Sequence, residues 1–395
     1  MAQTYNNLPT IDIIAATALD HLQDALIVKD LCATDTTGDF NSTQLGYKVG
    51  DSISFRTNPV YEVKTFNERA ADGTFVRDDT KEIDPQDVRA STRTLSIDKH
   101  YDISITLSAR ELAMDFDKMS EMVIRPAAKT MASKIDAFVA SKALQGAGLY
   151  ASSSIFGTAA DMAQARKAAL TQQLTEDKFC LVNLDLEAAL LGADWFNKFD
   201  YRGEGMAYRT GMLSETMGMK FYSSANYPVS THTNSSGTTT TAASPSGTQN
   251  KVGTSSLIVA SVTGGFSEGD RIAIAGVKRP LIVKADVSAA ATEITLVDPI
   301  TEIIPASAAV TVVGGNAKAL THKGAIFDSQ SIGMAMPVLD MVPDHLSSVV
   351  SDSGISIRLV QGYNMSTKVT TLSMDCLVGA TALDPRRITL LANAA

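Results

Sequence analysis

Apolar residues recur every three or four positions between residues 10 and 31, and this spacing predicts an amphipathic helix. The apolar stripe consists of Ile11, Ile14, Ala15, Ala18, Leu19, Leu22, Leu26 and Leu31. The polar segment CATDTTGDFNSTQLG follows and is expected to end the helix.

The period changes to two between residues 93 and 107, which predicts a strand of about fifteen residues with one buried face. Its apolar positions are Leu95, Ile97, Tyr101, Ile103, Ile105 and Leu107, with Lys99 as the exception. A matching run at residues 52–66 predicts the other arm of a long β-hairpin. A strand of that length spans about 50 Å, whereas a compact chain of this size has a radius of gyration of about 21 Å. The hairpin therefore either reaches beyond its own globule onto a neighbouring copy, or folds back on its own sheet with a solvated tip.

A second helix is predicted after the hairpin. Ser108 and Glu111 have the spacing of a capping box. The apolar stripe that follows is Leu112, Phe116, Met119, Val123, Ala127, Met131, Ile135, Phe138 and Val139. Pro126 lies inside this stripe and is expected to kink or divide the helix.

The middle of the chain alternates between helical and strand patterns. Residues 159–174 are rich in alanine and predict a helix, and residues 178–184 predict a buried strand. Asp185 is a plausible N-cap for the next short helix, and residues 217–225 predict another strand.

The composition then changes to a Ser/Thr/Gly-rich linker at residues 230–250. Short β-type runs separated by turns predict a small all-β insertion at about residues 251–316. Longer strand patterns return at the end of the chain, in GISIRLVQGYN, KVTTLSMDCLVGATAL and RRITLLA.

Composition argues against several functional classes. The chain has 395 residues, a net charge of −9 and a pI of about 5.1, which disfavours binding to nucleic-acid phosphates. Its three cysteines and five histidines are scattered, with no zinc or catalytic spacing, and no hydrolase, P-loop or zinc-protease motif is present. The sequence therefore predicts no catalytic residue, no metal site and no cofactor. Its N-terminus lacks the pattern of a secretory signal, and no apolar run is long enough to cross a bilayer.

The last forty residues carry a more specific signal. The segment GISIRLVQGYNMSTKVTTLSMDCLVGATALDPRRITLL (354–391) resembles the closing segment of major capsid proteins of tailed bacteriophages, in the P-twenty-two-like coat family. The matching positions are Tyr363, Asn364, Asp375, Gly379, Leu383 and Pro385. Residues 322–339 resemble a short strand and helix of that family, and residues 265–277 are similar to its inserted β-barrel. The family's arginine before the late aspartate is absent, because Ser373 and Met374 precede Asp375.

This resemblance implies an α+β chain with the HK-ninety-seven capsid fold. The implied parts are an N-terminal arm (1–46), an extended loop (47–107), a spine helix (108–148) with peripheral-domain strands (343–380), an axial domain (149–231 and 320–342), an inserted small β-barrel with its linker (232–319) and a C-terminal strand (381–395).

The implied function is that of a structural subunit that self-assembles from hexamers and pentamers into an icosahedral phage head. Such a shell encloses double-stranded DNA without sequence-specific binding. It forms in the bacterial cytoplasm with a scaffolding protein and a portal, and it involves no membrane. An encapsulin-like compartment with the same fold and a surface or carbohydrate-binding protein are the alternatives, while an enzyme would lack a candidate site.

The resemblance also assigns a role to the charged stretch at residues 69–87, where nine side chains carry charge although only 19% of the whole chain is charged. In the implied fold this stretch is the tip of the extended loop and lies across a neighbouring subunit. The expected inter-subunit contacts are Arg69, Asp72, Arg77, Asp78, Asp79, Lys81, Glu82, Asp84 and Asp87.

Overall fold

The computed structural model describes residues 11–34, 50–56, 67–69, 75–77, 92–107, 120–153, 155–172, 177–197, 215–243, 250–342, 346–365 and 369–394. Within these ranges the chain is α+β, with few helices and many strands, which confirms the predicted class. It divides into two compact units, the first formed by residues 1–55, 94–232 and 320–395, the second by residues 56–93 and 233–319.

The helices of the described residues are α1 (Ile11–Ala25), α2 (Arg125–Lys142), α3 (Ala159–Thr171), α4 (Leu184–Gly192) and α5 (Asp194–Asn197). Short 3-10 helices occupy Val28–Leu31, Ala143–Gln145 and Pro385–Arg387, and a π-helix occupies Ser120–Ile124. All eight residues of the first predicted stripe are buried, although α1 ends at Ala25. Pro126 lies in the first turn of α2, directly after the π-helix Ser120–Ile124. The capping box predicted at Ser108 and Glu111 lies outside the described residues, so the division of the second helix stays a prediction.

The strands are β1 (Ser52–Arg56), β2 (Asn67–Arg69), β3 (Phe75–Arg77), β4 (Thr92–Leu107), β5 (Gly148–Ser152), β6 (Phe179–Val182), β7 (Lys220–Ser223), β8 (Ser230–Thr233), β9 (Thr238–Thr240) and β10 (Ser256–Ile258). They continue with β11 (Arg271–Ile274), β12 (Leu281–Ile282), β13 (Glu293–Thr295), β14 (Ala309–Val312), β15 (Ala319–Phe327), β16 (Ile332–Ala335), β17 (Leu346–Asp352), β18 (Ile355–Asn364), β19 (Val369–Ala382) and β20 (Thr389–Ala394).

The first unit contains two sheets. One has the order β1-β4-β19-β18-β17, with β16 also paired to β19. Helix α2 packs against β19, and α1 packs against α2, β17 and β18. The Cys376 and Met131 sulfurs approach to 3.6 Å between β19 and α2. This sheet therefore has one side that is covered by helices.

The other sheet of the first unit has the order β5-β20-β15-β6-β7, with β8 paired to β15. Strands β5 and β20 are parallel, as are β6 and β7, so the sheet is mixed. Its core packs aromatic rings edge to face, with Phe196 lying 5.4 Å from Trp195 and 5.8 Å from Phe221 between ring centroids. The strands predicted at 178–184 and 217–225 appear here as β6 and β7.

The second unit contains the all-β insertion that the sequence predicted. Its sheets have the orders β12-β11-β14-β9 and β10-β13, and β2 pairs with β3. The short apolar runs enclose one core, which includes Leu257, Ile272, Val283, Ile294 and Val310. The finer division of the chain into arm, loop, spine, peripheral and axial parts stays a prediction.

Three sequence-based expectations were wrong. The N-cap of α4 is Asn183, whose side-chain oxygen accepts a hydrogen bond from the Leu186 N–H at 2.9 Å, so Asp185 lies inside the first turn instead. The Ser/Thr-rich segment at 230–250 contains β8 and β9, because threonine is a good strand former and β14 offers β9 a free edge. Residues 322–339, which resemble a short strand followed by a helix, contain part of β15 and the strand β16, which pairs with β19, and no helix.

Candidate assembly surface

A β-bulge divides β4 into two parts with different buried sides. Val378 of β19 lies opposite Lys99, but the next residue, Gly379, lies opposite Ile97, so Asp98 is the extra residue. Ile97 therefore points to the same side of the sheet as Leu377, whereas Tyr101 points to the side of Cys376. The prediction of one buried face along the whole strand was wrong, and the bulge explains why the alternation failed at Lys99.

Residues around Gly379 come unusually close at this bulge. A Cβ atom on Gly379 would lie 2.5 Å from the Ser96 carbonyl oxygen and 3.2 Å from the Ile97 Cα. The side chain of Asp98 accepts hydrogen bonds from Ser96 Oγ at 2.5 Å and from Lys142 Nζ of α2 at 3.1 Å. The bulge is therefore fixed both by backbone contact and by an ion pair to the helix.

Beyond the bulge, one side of the sheet carries a polar network centred on Asp375, which is 4% exposed. Arg358 of β18 donates to both of its carboxylate oxygens, from Nε at 3.0 Å and from Nη2 at 2.5 Å. His100 Nε2 lies 2.9 Å from Oδ2. Arg358 also donates to the Asp340 carbonyl at 2.9 Å, so its guanidinium connects β18 both to Asp375 on β19 and to Asp340. Asp375, which has no arginine directly before it in the sequence, thus takes its guanidinium partner from the neighbouring strand β18.

The network continues at Asp102, the β4 residue directly opposite Asp375. Ser373 Oγ and Ser104 Oγ donate to its two carboxylate oxygens at 2.5 and 2.9 Å. Two carboxylates thus face each other across the β4–β19 pair, and each has its own donors.

The opposite side of the outer segment of β4 (residues 99–107) is apolar and only partly covered. Tyr101, Ile103 and Ile105 are half-buried, whereas their neighbours Met374 and Leu372 on β19 are 4% and 6% exposed. Burial, with a smaller effect of Cys376, raises the pKa of the Tyr101 hydroxyl above its usual value. The helices therefore cover β19 well and β4 incompletely.

The outer segment of β4 also has an edge that no strand of the described ranges pairs. β19 covers one edge from Ile97 to Leu107. On the other edge, Ile97 exchanges backbone hydrogen bonds with Gly50 and Asp51, and β1 then runs alongside the start of β4, away from the outer segment. Ser54 Oγ and Thr94 Oγ1, 3.4 Å apart, fix this direction. The predicted arms 52–66 and 93–107 are thus neighbours, but the described pairing covers only β1 and the start of β4, and residues 57–66 lie outside the described residues.

Large apolar side chains are exposed at the end of the same sheet. Tyr363 and Met365, at the β18–β19 connection, are 58% and 77% exposed. Leu346 begins the edge strand β17, and Met341 precedes it; they are 57% and 64% exposed. Single exposed apolar residues are normal, but Leu346, Tyr363 and Met365 lie at the same end of the sheet, since Leu346 is opposite Gln361 near the end of β18, and together they indicate a contact surface.

Most of the predicted contact residues of the loop lie outside the described ranges. Asp72, Asp78, Asp79, Lys81, Glu82, Asp84 and Asp87 are in this group. Arg69 and Arg77 lie in the short antiparallel pair β2–β3, where Arg69 is opposite Phe75 and Arg77 is opposite Asn67. The role of all nine charged residues stays a prediction.

The N-terminal helix is joined to α2 through a buried carboxylate. Asp136 of α2, 2% exposed, accepts hydrogen bonds from the backbone N–H groups of Ile27 and Val28, both at 3.2 Å. Burial raises the pKa of Asp136 to about 6, although these two N–H groups act to lower it. The contact caps the 3-10 helix that follows α1.

The remaining titratable groups indicate no reactive centre. Burial raises the pKa of all three cysteine thiols, that of Cys376 to about 12 with a further contribution from Asp375, as expected for buried structural thiols. Among the described residues, no group of three or more His, Cys, Asp or Glu could hold a metal ion. No helix in the described ranges is long and apolar enough to span a membrane.

Comparison with known proteins gives likenesses in structure only. No family model matches the chain, and no curated protein matches it. The chain is similar to a solved structure titled "Mycobacterium phage Che8", at 10% sequence identity, with 93% of this chain and 90% of that chain covered and a TM-score of 0.48. It is similar to "Capsid structure of the Cyanophage P-SCSP1u", at 12% identity, 89% and 85% coverage and a TM-score of 0.44. It is also similar to a virus-like particle from Pyrococcus furiosus, at 10% identity, 96% and 97% coverage and a TM-score of 0.39.

Proposed function

We propose that this protein is the major capsid subunit of a tailed bacteriophage, with the HK-ninety-seven fold. It assembles with copies of itself into an icosahedral shell of hexamers and pentamers that encloses double-stranded DNA. Its role is structural, without catalysis or a cofactor. It belongs to the virion, assembles in the host cytoplasm and works with a scaffolding protein and a portal.

The observation that carries this proposal is the incomplete outer segment of β4. The segment is held in register by β19 along one edge. Its apolar side, Tyr101, Ile103 and Ile105, is half-buried, and no described strand pairs its other edge. Exposed strand edges attract other chains, so proteins cover them. In a closed shell a second copy covers this surface on every subunit.

The ordered pattern of elements gives further support. A helix, a long strand, a second helix on the same sheet, a mixed α/β sheet, an inserted β-domain and two final long strands follow one another in the order implied by the sequence resemblance. The charged residues 69–87 fit the same arrangement. A single exposed ion pair contributes about 0 to 1 kcal/mol, which is weak enough for misplaced subunits to leave and sufficient when repeated around a closed shell.

The test is to purify the full chain and examine it by sedimentation and electron microscopy. Closed particles of uniform size are expected at micromolar concentration, with nuclease-protected DNA when they are isolated from infected or producing cells. A co-purified protein cargo in place of DNA would favour the encapsulin-like alternative. A monomer that persists at high concentration, with or without a scaffolding protein, would contradict both.

A pair of variants connects this test to the surface. Ile103→Thr keeps a strand-forming residue but removes apolar surface from the half-buried side, and it is expected to reduce the yield of particles. Val229→Thr is the matched control, because Val229 is an apolar residue that is 54% exposed and precedes β8, outside the outer segment of β4, and this variant should assemble normally. Equal assembly of the two variants would exclude the outer segment of β4 as the contact surface.

A further inference from the structure

One ion pair lies at the base of the charged loop. Arg93, the second residue of β4, donates from Nη2 to the carboxylate Oδ1 of Asp298, which follows β13 in the inserted β-domain. Their side chains are 22% and 8% exposed. The loop segment 56–93 and the inserted residues 233–319 form one compact unit, and the chain leaves this unit directly after Arg93. The pair therefore joins the last residue of the loop to the inserted domain.

The backbone around Asp298 is fixed on both sides. The Val297 N–H donates to the Ile282 carbonyl at 3.0 Å. Ile300, 1% exposed, donates to the Thr254 carbonyl at 2.8 Å, and its own carbonyl accepts from the Gly253 N–H at 2.8 Å. Pro299 restricts the backbone between these two residues further. The carboxylate is thus presented from a rigid position of the inserted domain.

The burial of Asp298 makes the pair more than a surface contact. A carboxylate with so little exposed surface loses hydration, so removing its cation leaves a charge that solvent compensates poorly. A guanidinium is suited to this role because its planar donors match a carboxylate and it stays charged at all physiological pH values. The pair consequently favours one direction in which the chain leaves the inserted domain.

We propose that the Arg93–Asp298 pair positions the extended loop for assembly by tying its base to the inserted domain, so that the loop and the domain reach a neighbouring subunit as one body. Arg93 and Asp298 are positioning residues in this proposal, distinct from the charged residues of the loop that contact the neighbour. The inference rests on the proposed shell function.

The experiment compares four variants of the full chain. Arg93→Gln and Asp298→Asn each remove one charge of the pair, and Arg93→Lys is the conservative variant that retains the cation. Glu293→Gln is the matched control, because Glu293 is an exposed acid on β13 that accepts a hydrogen bond from Ser256 Oγ at 2.5 Å and lies outside the pair.

Two measurements distinguish the effect of the Arg93–Asp298 pair on the loop base from its effect on assembly. In the unassembled protein, amide hydrogen exchange of residues 92–97 is expected to rise about tenfold in Arg93→Gln and Asp298→Asn, while exchange in the core of the inserted domain stays unchanged. In assembly, the concentration needed for half of the protein to form particles is expected to rise about tenfold in the same two variants, with Arg93→Lys near the wild type.

Each outcome has a definite reading. Unchanged hydrogen exchange in both charge-removing variants would show that the Arg93–Asp298 pair does not hold the loop base to the inserted domain, whether or not particles form. Faster exchange with normal assembly would overturn the positioning role. If the wild-type chain forms no particles, the proposed function fails together with the assembly role, and the exchange measurement still decides whether the loop base is tied to the inserted domain.

Discussion

Substituting Gly379 by alanine tests the bulge that organises β4. The new Cβ would lie 2.5 Å from the Ser96 carbonyl oxygen, 3.1 Å from the Ser96 carbonyl carbon and 3.2 Å from the Ile97 Cα. All three atoms belong to the backbone of β4, so no side-chain rotation relieves the contact. Either the β4–β19 pair separates at this point or the bulge moves.

The expected loss of unfolding free energy follows from the fact that backbone atoms of β4 must move. Overpacking in a closely packed interior costs about 1 to 3 kcal/mol, and here the neighbour is backbone, so we expect the upper half of that range. Gly362 of β18 provides a matched control in the same sheet, because a Cβ added there meets nothing within 4 Å. Gly362→Ala should be neutral or stabilising by up to about 1 kcal/mol, since alanine restricts the unfolded chain more than glycine does.

The assay is urea unfolding of both variants, together with hydrogen exchange of β4 and β19. Because the chain has two compact units, calorimetry is needed to assign the lost stability to the first unit. Gly379→Ala should fall about 2 to 4 kcal/mol below Gly362→Ala, with faster exchange at residues 95–99. Equal stability of the two variants would show that the strands do not approach closely at Gly379.

Three further predictions concern charged groups. Because Asp136 has a pKa of about 6 in the folded chain and 3.8 in the reference state, the folded state binds more protons between these values, and the unfolding free energy should fall by up to about 3 kcal/mol as the pH rises from 4 to 6. Asp136→Asn should remove this fall in urea titrations, whereas exposed Asp30→Asn should keep it; an unchanged pH profile in Asp136→Asn would contradict the assignment. Arg358→Ala should destabilise the first unit by about 3 to 5 kcal/mol because it leaves Asp375 buried and without its main partner, and Arg358→Lys should cost less; a loss below 1 kcal/mol in denaturation would refute this. Reversing the charges of Asp78 and Asp79 to lysine should weaken particle assembly without lowering the melting temperature of the monomer, and a monomer as unstable as a core variant would count against a contact role.

Periodicity predicted most of the elements because burial of one side repeats at a fixed spacing. The stripe from Ile11 to Leu31 is buried throughout, and the short runs of the insertion form its core. Where the chain departs from a regular period, the pattern was misleading. A single extra residue, Asp98, moves Leu95 and Ile97 to the other side of the sheet from Tyr101. In the sequence, the only irregularity at this point is Lys99, a charged residue at a position where the alternation predicts an apolar one.

The polar partners were harder to predict, because each ion pair joins residues distant in the chain. Arg358 and Asp375 interrupt two otherwise apolar strand patterns, ISIRLV and SMDCLV. Opposite charges inside two adjacent buried strands were a usable signal, since an unpaired buried charge is costly. Arg93 and Asp298 are 205 positions apart, and their pairing depends on how the inserted domain folds.

The two ion pairs also differ in what they can do. Arg358–Asp375 joins adjacent strands of one sheet, with Asp375 almost fully buried, so its loss lowers the stability of that sheet whether or not the protein assembles. Arg93–Asp298 lies within the second unit and joins the end of the loop segment 56–93 to the inserted domain, so its loss acts on the second unit and on the residues next to Arg93. Denaturation should therefore report the loss of the first pair in the unfolding of the first unit and the loss of the second pair in the unfolding of the second unit, and assembly should be sensitive to both.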